Sequence, residues 1–254
     1  MCYAFRSKSK NKEETLRKHI IGITECLKEA WETEGIKKKL AKIHGINKSV
    51  TNDMLLLAGL IHDIGKTESE LQNECREECT SFKHHYITSA MLALKLGYET
   101  KELNLCPDNI EEKLKKILSR EKRLRNLDLG DTYLLIVVLP ILLHHYAQVT
   151  SELSVLEGLN NIKRFIQIHE SCVNEITSII DEVSQVFESE IGLRILSNLK
   201  DIITKKEPIE LSLINRKLFQ EASSSYEYVS GRIMTEAFTG ILNLCDGRVA
   251  SSNR

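Results

Sequence analysis

Histidine and aspartate side chains recur within the apolar segments of this chain, where an ionisable group is costly unless something pairs with it. The segment that begins at Met54 ends in His62 and Asp63, and Lys66 follows closely. Neutral imidazole and ionised carboxylate are good ligands for a divalent cation, and coordination compensates for their burial. The alternative is a core histidine hydrogen-bonded to its neighbouring aspartate, which is the commoner outcome for an isolated pair.

The positions of the other histidines favour the metal interpretation, because most of them also lie in or beside apolar runs. Adjacent residues on a regular helix point about 100° apart. The doublet His144-His145 can therefore serve one metal only near a distortion or at the rim of a site, and Pro140 predicts such a distortion. The candidate metal ligands are His19, His62, Asp63, His85, His144, His145 and Asp246.

Apolar residues spaced three and four apart predict the helices that must position these ligands. The 12 glycines and 3 prolines are about half the usual share of these residues, which is typical of a helical protein. The expected fold is all-α, a single domain over 1–254 built as a helical bundle with a metal cleft in its centre. The predicted helices fall within 11–34, 37–45, 54–63, 82–97, 131–143, 162–205 and 226–251.

The charge balance limits how the chain could hold a polyanion. Lys and Arg number 35 against 36 Asp and Glu, for a net charge of -1, so a nucleic acid must be held by a local basic patch or by metal. The most charged part, 99–128, is interpreted as a charged helical insertion. Its cations predict either a phosphate-binding surface or a solvated helix face. They include Lys113, Lys116, Arg120, Lys122, Arg123 and Arg125.

The cysteines form no recognisable framework, since there are seven of them at irregular spacing. No segment resembles a signal peptide or a membrane span. The expectation is a soluble protein of a reducing cytoplasm. Cys75 and Cys79 could be zinc ligands with His84 nearby, but the close spacing and the fourth ligand of a structural zinc site are absent. Free thiols are the expectation for this pair.

The ordered set of histidines and aspartates resembles the HD superfamily of metal-dependent phosphohydrolases. Within it, the chain is similar to the free-standing HD nuclease subunit of type I CRISPR systems, through 60–66, 82–90, 143–145 and 245–251. In the second of these stretches the family has three residues between a histidine and Ser-Ala, which selects His85 over His84 as the ligand. The segment 151–225 matches nothing in that family and is interpreted as a helical elaboration, and Gly247 stands where the family has a bulkier residue.

The resemblance implies two divalent ions that share Asp63. A bridging role suits this residue because a carboxylate has two oxygens, whereas an imidazole offers one free nitrogen. Mn, Co, Ni or Fe is favoured over Mg, because five imidazoles suit borderline ions better than a hard one. Mg would work at high concentration. The implied ligand sets are His19, His62, Asp63 and Asp246 for one ion, and Asp63, His85, His144 and His145 for the other.

The activity implied by the resemblance is metal-dependent hydrolysis of phosphodiester bonds, with single-stranded DNA preferred and RNA as a further substrate. Asp63 and Lys66 would be catalytic, the lysine through contact with the phosphate. The partners implied are a separate helicase subunit and the CRISPR surveillance complex, without a membrane. Two alternatives stay open: a phosphohydrolase of mononucleotides or cyclic nucleotides, and an inactive HD regulatory module, which would have lost ligands that are all present here.

Overall fold

The computed structural model describes residues 1–118, 127–145, 163–205, 207–211 and 230–253. This part of the chain is mostly helical, which confirms the all-α prediction. Two small antiparallel sheets accompany the helices, β1 (Tyr3–Ser7) with β2 (Lys12–Thr15) and β3 (Phe165–Ile166) with β4 (Ile209–Glu210).

The helices follow one another in short segments, several of them shorter than predicted. A π-helical turn, Leu134–Val138, lies between α7 and α8, and 3-10 turns cover Ile64–Thr67 and Lys101–Leu103. In chain order the α-helices are α1 (Leu16–Glu29), α2 (Glu32–His44), α3 (Lys48–Ile61), α4 (Ser69–Glu74), α5 (His85–Glu99), α6 (Ile110–Leu118), α7 (Leu129–Tyr133), α8 (Leu139–Leu143), α9 (Glu170–Ser184), α10 (Glu190–Thr204) and α11 (Ser230–Asn253).

The helix predicted over 11–34 begins only at Leu16, because the residues before it form a hairpin, and it breaks after Glu29, where Ala30 is extended. Ser7 pairs with Lys12 across this hairpin. Thr15 then ends β2 and caps α1, since its hydroxyl accepts a hydrogen bond from the backbone N–H of Lys18. The apolar stripe of α1 is buried as predicted, with His19 on its inner face.

Helix α3 lies at the centre of the described fold. Every residue from Met54 to Ile61 is buried, because α3 packs against α1, α2, α10 and the π-helical turn. Packing on several sides explains why this segment is apolar all round rather than striped. The part of 151–225 that is described also belongs to this core, since α9 packs on α1 and α10 packs on both α3 and α5.

Asp53 links α3 to α10. It does not cap its own helix, because Asn47 is the N-cap of α3. The buried carboxylate of Asp53 instead accepts from the backbone N–H groups of Glu188, at 3.1 Å, and Ser189, at 2.7 Å, at the start of α10. A methyl group on Gly192 would lie 2.4 Å from Asp53 Oδ2, so this close approach needs a glycine there.

We expect Asp53→Ala to lower the free energy of unfolding by about 2 to 4 kcal/mol, because it leaves buried donors without an acceptor. Chemical denaturation would measure the loss. Asp201→Ala is the matched control, since Asp201 is exposed on α10, and its effect should stay within about 0.5 kcal/mol. Similar losses in the two variants would contradict the capping role.

The structure corrects the prediction of free thiols. Disulfides join Cys75 to Cys79, Cys2 to Cys172 and Cys26 to Cys245, and Cys106 alone is free. The last two of these bonds span 170 and 219 residues, and such pairings cannot be deduced from sequence alone. Disulfides persist in oxidising compartments and inside hyperthermophiles, so the cysteines no longer support a reducing cytoplasm.

None of the helices in the described ranges combines the length and the apolar character that a membrane span requires.

Candidate metal centre

The seven predicted ligands come together in one cluster although they arise from five segments. The Nε2 or Nδ1 atoms and carboxylate oxygens fall into two groups, and within each group the ligand atoms lie within 4.8 Å of one another. The first group, termed site A, is His19 on α1, His62 at the end of α3 and Asp246 on α11. The second group, termed site B, is His85 on α5 with His144 and His145 at the end of α8.

Asp63 lies between the two sites. Its Oδ2 is 3.0 Å from His19 Nε2 in site A, and its Oδ1 is 3.1 Å from His85 Nε2 in site B. Each carboxylate oxygen therefore faces a different site. This is the arrangement that a bridging ligand needs.

The turn after α3 brings Asp63 against α5. A methyl group on Gly65 would lie 2.1 Å from the carbonyl oxygen of His85, and the backbone N–H of Gly65 donates to Ser89 Oγ at 2.8 Å. Glycine thus lets the 3-10 turn pack directly on the first turn of α5. The same contact sets the distance between the bridging carboxylate and site B.

The histidine doublet lies where the helical backbone is irregular: a π-helical turn comes before α8, and α8 ends directly before the doublet. The π-helical turn Leu134–Val138 precedes Pro140, which lies in the first turn of α8, and α8 ends at Leu143. His144 and His145 follow in the turn beyond the helix. The distortion predicted from Pro140 is therefore present, and both rings meet His85, with centroids 5.9 and 4.8 Å from its ring.

His84 lies outside the cluster, in agreement with the choice of His85 from the spacing to Ser89-Ala90. It precedes α5 with a left-handed φ of 58° and is half-buried. His85, one residue later, is buried against Asp63.

Three of the cluster histidines are held in one way. Each ring donates its Nδ1–H to a backbone carbonyl three residues earlier, at 2.6 to 2.7 Å, and so presents Nε2 to the cluster. The Nε2 atoms of His62 and His144, and also that of His19, are buried without a hydrogen bond to the described residues. These histidines and their acceptors are His62 with Gly59, His85 with Phe82, and His144 with Ile141.

His19 is held differently. Its Nδ1–H donates to the carboxylate of Glu14 at 2.8 Å, and both side chains are fully buried. Sequence reasoning missed Glu14, because it stands beside Glu13 in a polar stretch that gave no sign of burial. The only signal was its position five residues before a candidate ligand.

Burial and neighbouring charges set the protonation of the cluster. Burial lowers the pKa of His62, of His144 and of His85, the last to about 4. These imidazoles are therefore neutral, as metal ligands must be.

In the carboxylates and in His19, by contrast, the neighbouring groups stabilise the charged form. Burial would raise the pKa of Asp63, but the Lys66 ammonium and the neighbouring imidazoles hold it well below its usual range. Burial likewise opposes ionisation of Asp246, yet the nearby His19 ring lowers its pKa. Burial disfavours the charged form of His19, but the neighbouring carboxylates of Asp246, Asp63 and Glu14 raise its pKa to about 10.

The donor set fits a divalent cation. Buried neutral imidazoles with unpartnered Nε2 atoms, arranged around ionised carboxylates, are what borderline divalent ions select. A cation in site A would lie beside His19 Nε2, which is 3.0 Å from Asp63 Oδ2 and 3.2 Å from Asp246 Oδ1.

Lys66 is part of the cluster rather than a surface residue beyond a helix end. It is buried, its ammonium donates to Asp63 Oδ2 at 2.6 Å, and it lies 5.4 Å from the centre of the Phe82 ring. Its contact with a phosphate stays a prediction.

Two of the predicted cations in the basic segment belong to the described residues, and both pair with carboxylates. Lys113 donates to Asp128 at 2.7 Å and lies 3.4 Å from Asp131, and Lys116 also pairs with Asp131. Asp131 is fully buried and forms a capping box with Asp128, so both lysines pair with the carboxylates at the start of α7, and their contact with a phosphate backbone stays a prediction. The other predicted cations, Arg120, Lys122, Arg123 and Arg125, lie outside the described residues.

Comparison with models of protein families found no match, and no curated protein matches the chain. Function is therefore inferred from the residues and their geometry.

Proposed function

We propose that this protein is a two-ion phosphohydrolase of the HD type, a nuclease that prefers single-stranded DNA. One observation carries the proposal: the ligands that resemble the HD pattern in sequence order also converge in space, with Asp63 between sites A and B. The inactive regulatory alternative requires missing ligands, and all seven are in the cluster.

Site A with one oxygen of Asp63 would hold one ion, and site B with the other oxygen would hold the second. Imidazole-rich coordination favours Mn, Co, Ni or Fe, with Mg active at higher concentration. Two such ions supply an activated water and stabilise the charge that develops on a phosphodiester during hydrolysis.

The protein's own residues orient this chemistry. The backbone carbonyls behind His62, His85 and His144 fix the rings with Nε2 facing inward. Lys66 holds one oxygen of Asp63 and supplies a positive charge beside the centre, where it would contact the substrate phosphate. The centre opens toward solvent at Asp246, whose side chain is 19% exposed, and at the half-buried His145.

The nucleic-acid substrate rests on the resemblance to the free-standing CRISPR nuclease subunit. A flexible single strand can bend a phosphate into a partly buried centre, which a rigid duplex would reach poorly. By the same resemblance the protein would act in the cytoplasm, with a separate helicase and the surveillance complex and without ATP, and its three disulfides fit this location in a hyperthermophile. RNA is a further candidate substrate.

A cleavage assay tests the proposal. Metal-free protein would be incubated with Mn, Co, Ni, Fe or Mg and with single-stranded DNA, duplex DNA, RNA, a dNTP or a cyclic dinucleotide. We expect hydrolysis of single-stranded DNA, fastest with one of the first four ions. Turnover of a dNTP or cyclic dinucleotide, with single-stranded DNA intact under every ion, would replace the nuclease by a nucleotide phosphohydrolase. Hydrolysis supported by Mg alone would contradict the nitrogen-rich centre.

Substitution of His85 should affect site B selectively. We expect His85→Ala to reduce the bound metal from about two ions to about one per chain, and to lower turnover by roughly 100-fold, the scale of losing one preorganised stabilising element. His84→Asn is the matched control, because asparagine tolerates the left-handed backbone and residue 84 lies outside the cluster. Elemental analysis and the cleavage assay give both values. Equal metal loss in the two variants would show that the effect arises from the start of α5 and not from the ligand.

A further inference from the structure

The carboxylate of Glu14 lies behind one ring of the cluster, on the Nδ1 side of His19. The rings of His62, His85 and His144 donate to neutral backbone carbonyls, whereas His19 donates to Glu14 at 2.8 Å. A carboxylate behind a ligating histidine fixes the ring orientation and the tautomer and makes the imidazole a stronger donor.

The position of Glu14 is fixed from two sides. It lies in β2 just before Thr15, which caps α1, and its Oε1 also accepts from Asn253 Nδ2 at 2.7 Å. Asn253 follows Asp246 on α11 by about two helical turns, so the two residues share a face of that helix. Helix α11 therefore contacts the Glu14–His19 pair at two points. Asp246 Oδ1 lies 3.2 Å from His19 Nε2, and Asn253 donates to Glu14.

The carboxylates near the cluster are unevenly distributed, so the two sites differ in charge and site A is the more negative. Site A has the carboxylate of Asp246 in addition to its oxygen of Asp63. Glu14 adds a further negative charge behind His19, while the Lys66 ammonium on Asp63 Oδ2 offsets one of these charges. Site B has three imidazoles and its share of Asp63 alone among the described groups. Because attraction to a dication grows with the number of nearby anions, the sites should not bind equally.

We propose that Glu14 is a positioning residue that acts through His19 and makes site A the tighter of the two metal sites. Glu14 holds the imidazole with Nε2 directed at the ion and adds negative charge behind it. This inference rests on the two-ion centre of the proposed function.

Calorimetric titration of the metal-free protein with Mn²⁺ tests it. The wild type should bind two ions in two resolved steps. Glu14→Ala should weaken the tighter step by roughly 10- to 100-fold and change the weaker one by less than about threefold. Glu14→Gln should fall between wild type and Ala, because its amide oxygen still accepts from Nδ1 but carries no charge.

Glu13→Ala is the matched control, since Glu13 is the exposed neighbour of Glu14 on the same strand, and it should bind both ions as the wild type does. Thermal unfolding of each metal-free variant checks the fold. If Glu14→Ala does not fold, Glu14→Gln decides: selective weakening of the tighter step supports the inference.

The outcomes separate the two proposals. A wild type that binds no ion would overturn the two-ion function itself. A wild type that binds two ions, with both steps unchanged in the Glu14 variants, would overturn the positioning role alone. Equal weakening of both steps would also overturn it, because a general structural defect acts on both sites.

Discussion

Asp63→Ala should leave the protein with neither ion and with hydrolysis at the level of metal-free wild type. Asp63 Oδ2 faces His19 in site A and Oδ1 faces His85 in site B, so one substitution removes a ligand from both ions. It also removes the anion that holds the ions near each other, since two dications in adjacent sites repel. Elemental analysis after dialysis and the single-stranded DNA assay measure the two losses.

Asp63→Asn is the companion variant, because alanine would leave the buried ammonium of Lys66 unpaired at a cost of several kcal/mol. The asparagine oxygen can still accept from Lys66, so the fold should survive in this variant while the bridging charge is lost. Retention of both ions by folded Asp63→Asn would show that the residue is not the bridge.

Lys66→Ala should have a different effect. Its ammonium competes with a cation for Asp63 Oδ2, so metal content should be kept or increased, while turnover should fall by roughly 100-fold, the scale of losing one charge-stabilising donor. Lys66→Met preserves the stem that packs beside Phe82 and controls for packing. Metal loss in Lys66→Met equal to that in Asp63→Asn would assign the lysine to the structure of the centre.

The helices could be predicted where a strong periodic pattern met a clear stop signal. The predicted end of the second helix at Gly45 is confirmed, since that residue takes a left-handed φ of 69°. The distortion predicted at Pro140 is present too, although the π-helical turn before it was not foreseen. Such a turn is formed by packing around the segment, and its sequence reads as an ordinary apolar helix.

The N-terminal hairpin could not be predicted in the same way. Lys12–Thr15 is polar and too short for a period-two pattern, and it pairs with β1 across a turn with left-handed Asn11. Tertiary contacts stabilise it, because Arg6 forms a backbone bridge to Cys79 and Cys2 is bonded to Cys172. These partners are far apart in the sequence.

The ligands of the candidate site could be predicted better than what surrounds them. Buried histidines and aspartates are rare enough to stand out from an apolar helix. Glu14 and Lys113 belong to residue types that are common on surfaces, and sequence alone could not tell that one is buried behind His19 and the other against Asp131. The neutral state of His85 likewise depends on burial that only the fold supplies.

Removal of the bond between Cys26 and Cys245 should produce the largest loss of stability. This disulfide joins α1 to α11 across 219 residues, and a long loop restricts the unfolded chain most. The double variant Cys26→Ala, Cys245→Ala should lose roughly 4 to 5 kcal/mol, or about 10 to 20 °C in Tm.

The bond between Cys75 and Cys79 provides the matched control for this prediction, because it closes a separation of only 4 residues. The double variant Cys75→Ala, Cys79→Ala should lose roughly 2 kcal/mol, and a reductant should lower the Tm of the wild type more than that of the Cys26, Cys245 variant.

Cys245 directly precedes Asp246, so release of the bond between Cys26 and Cys245 should also loosen α11 at site A and weaken the tighter metal-binding step. Equal Tm losses in the two double variants would contradict the loop-length argument. A wild-type Tm that is unchanged by the reductant would show that the long-range disulfides do not stabilise the fold.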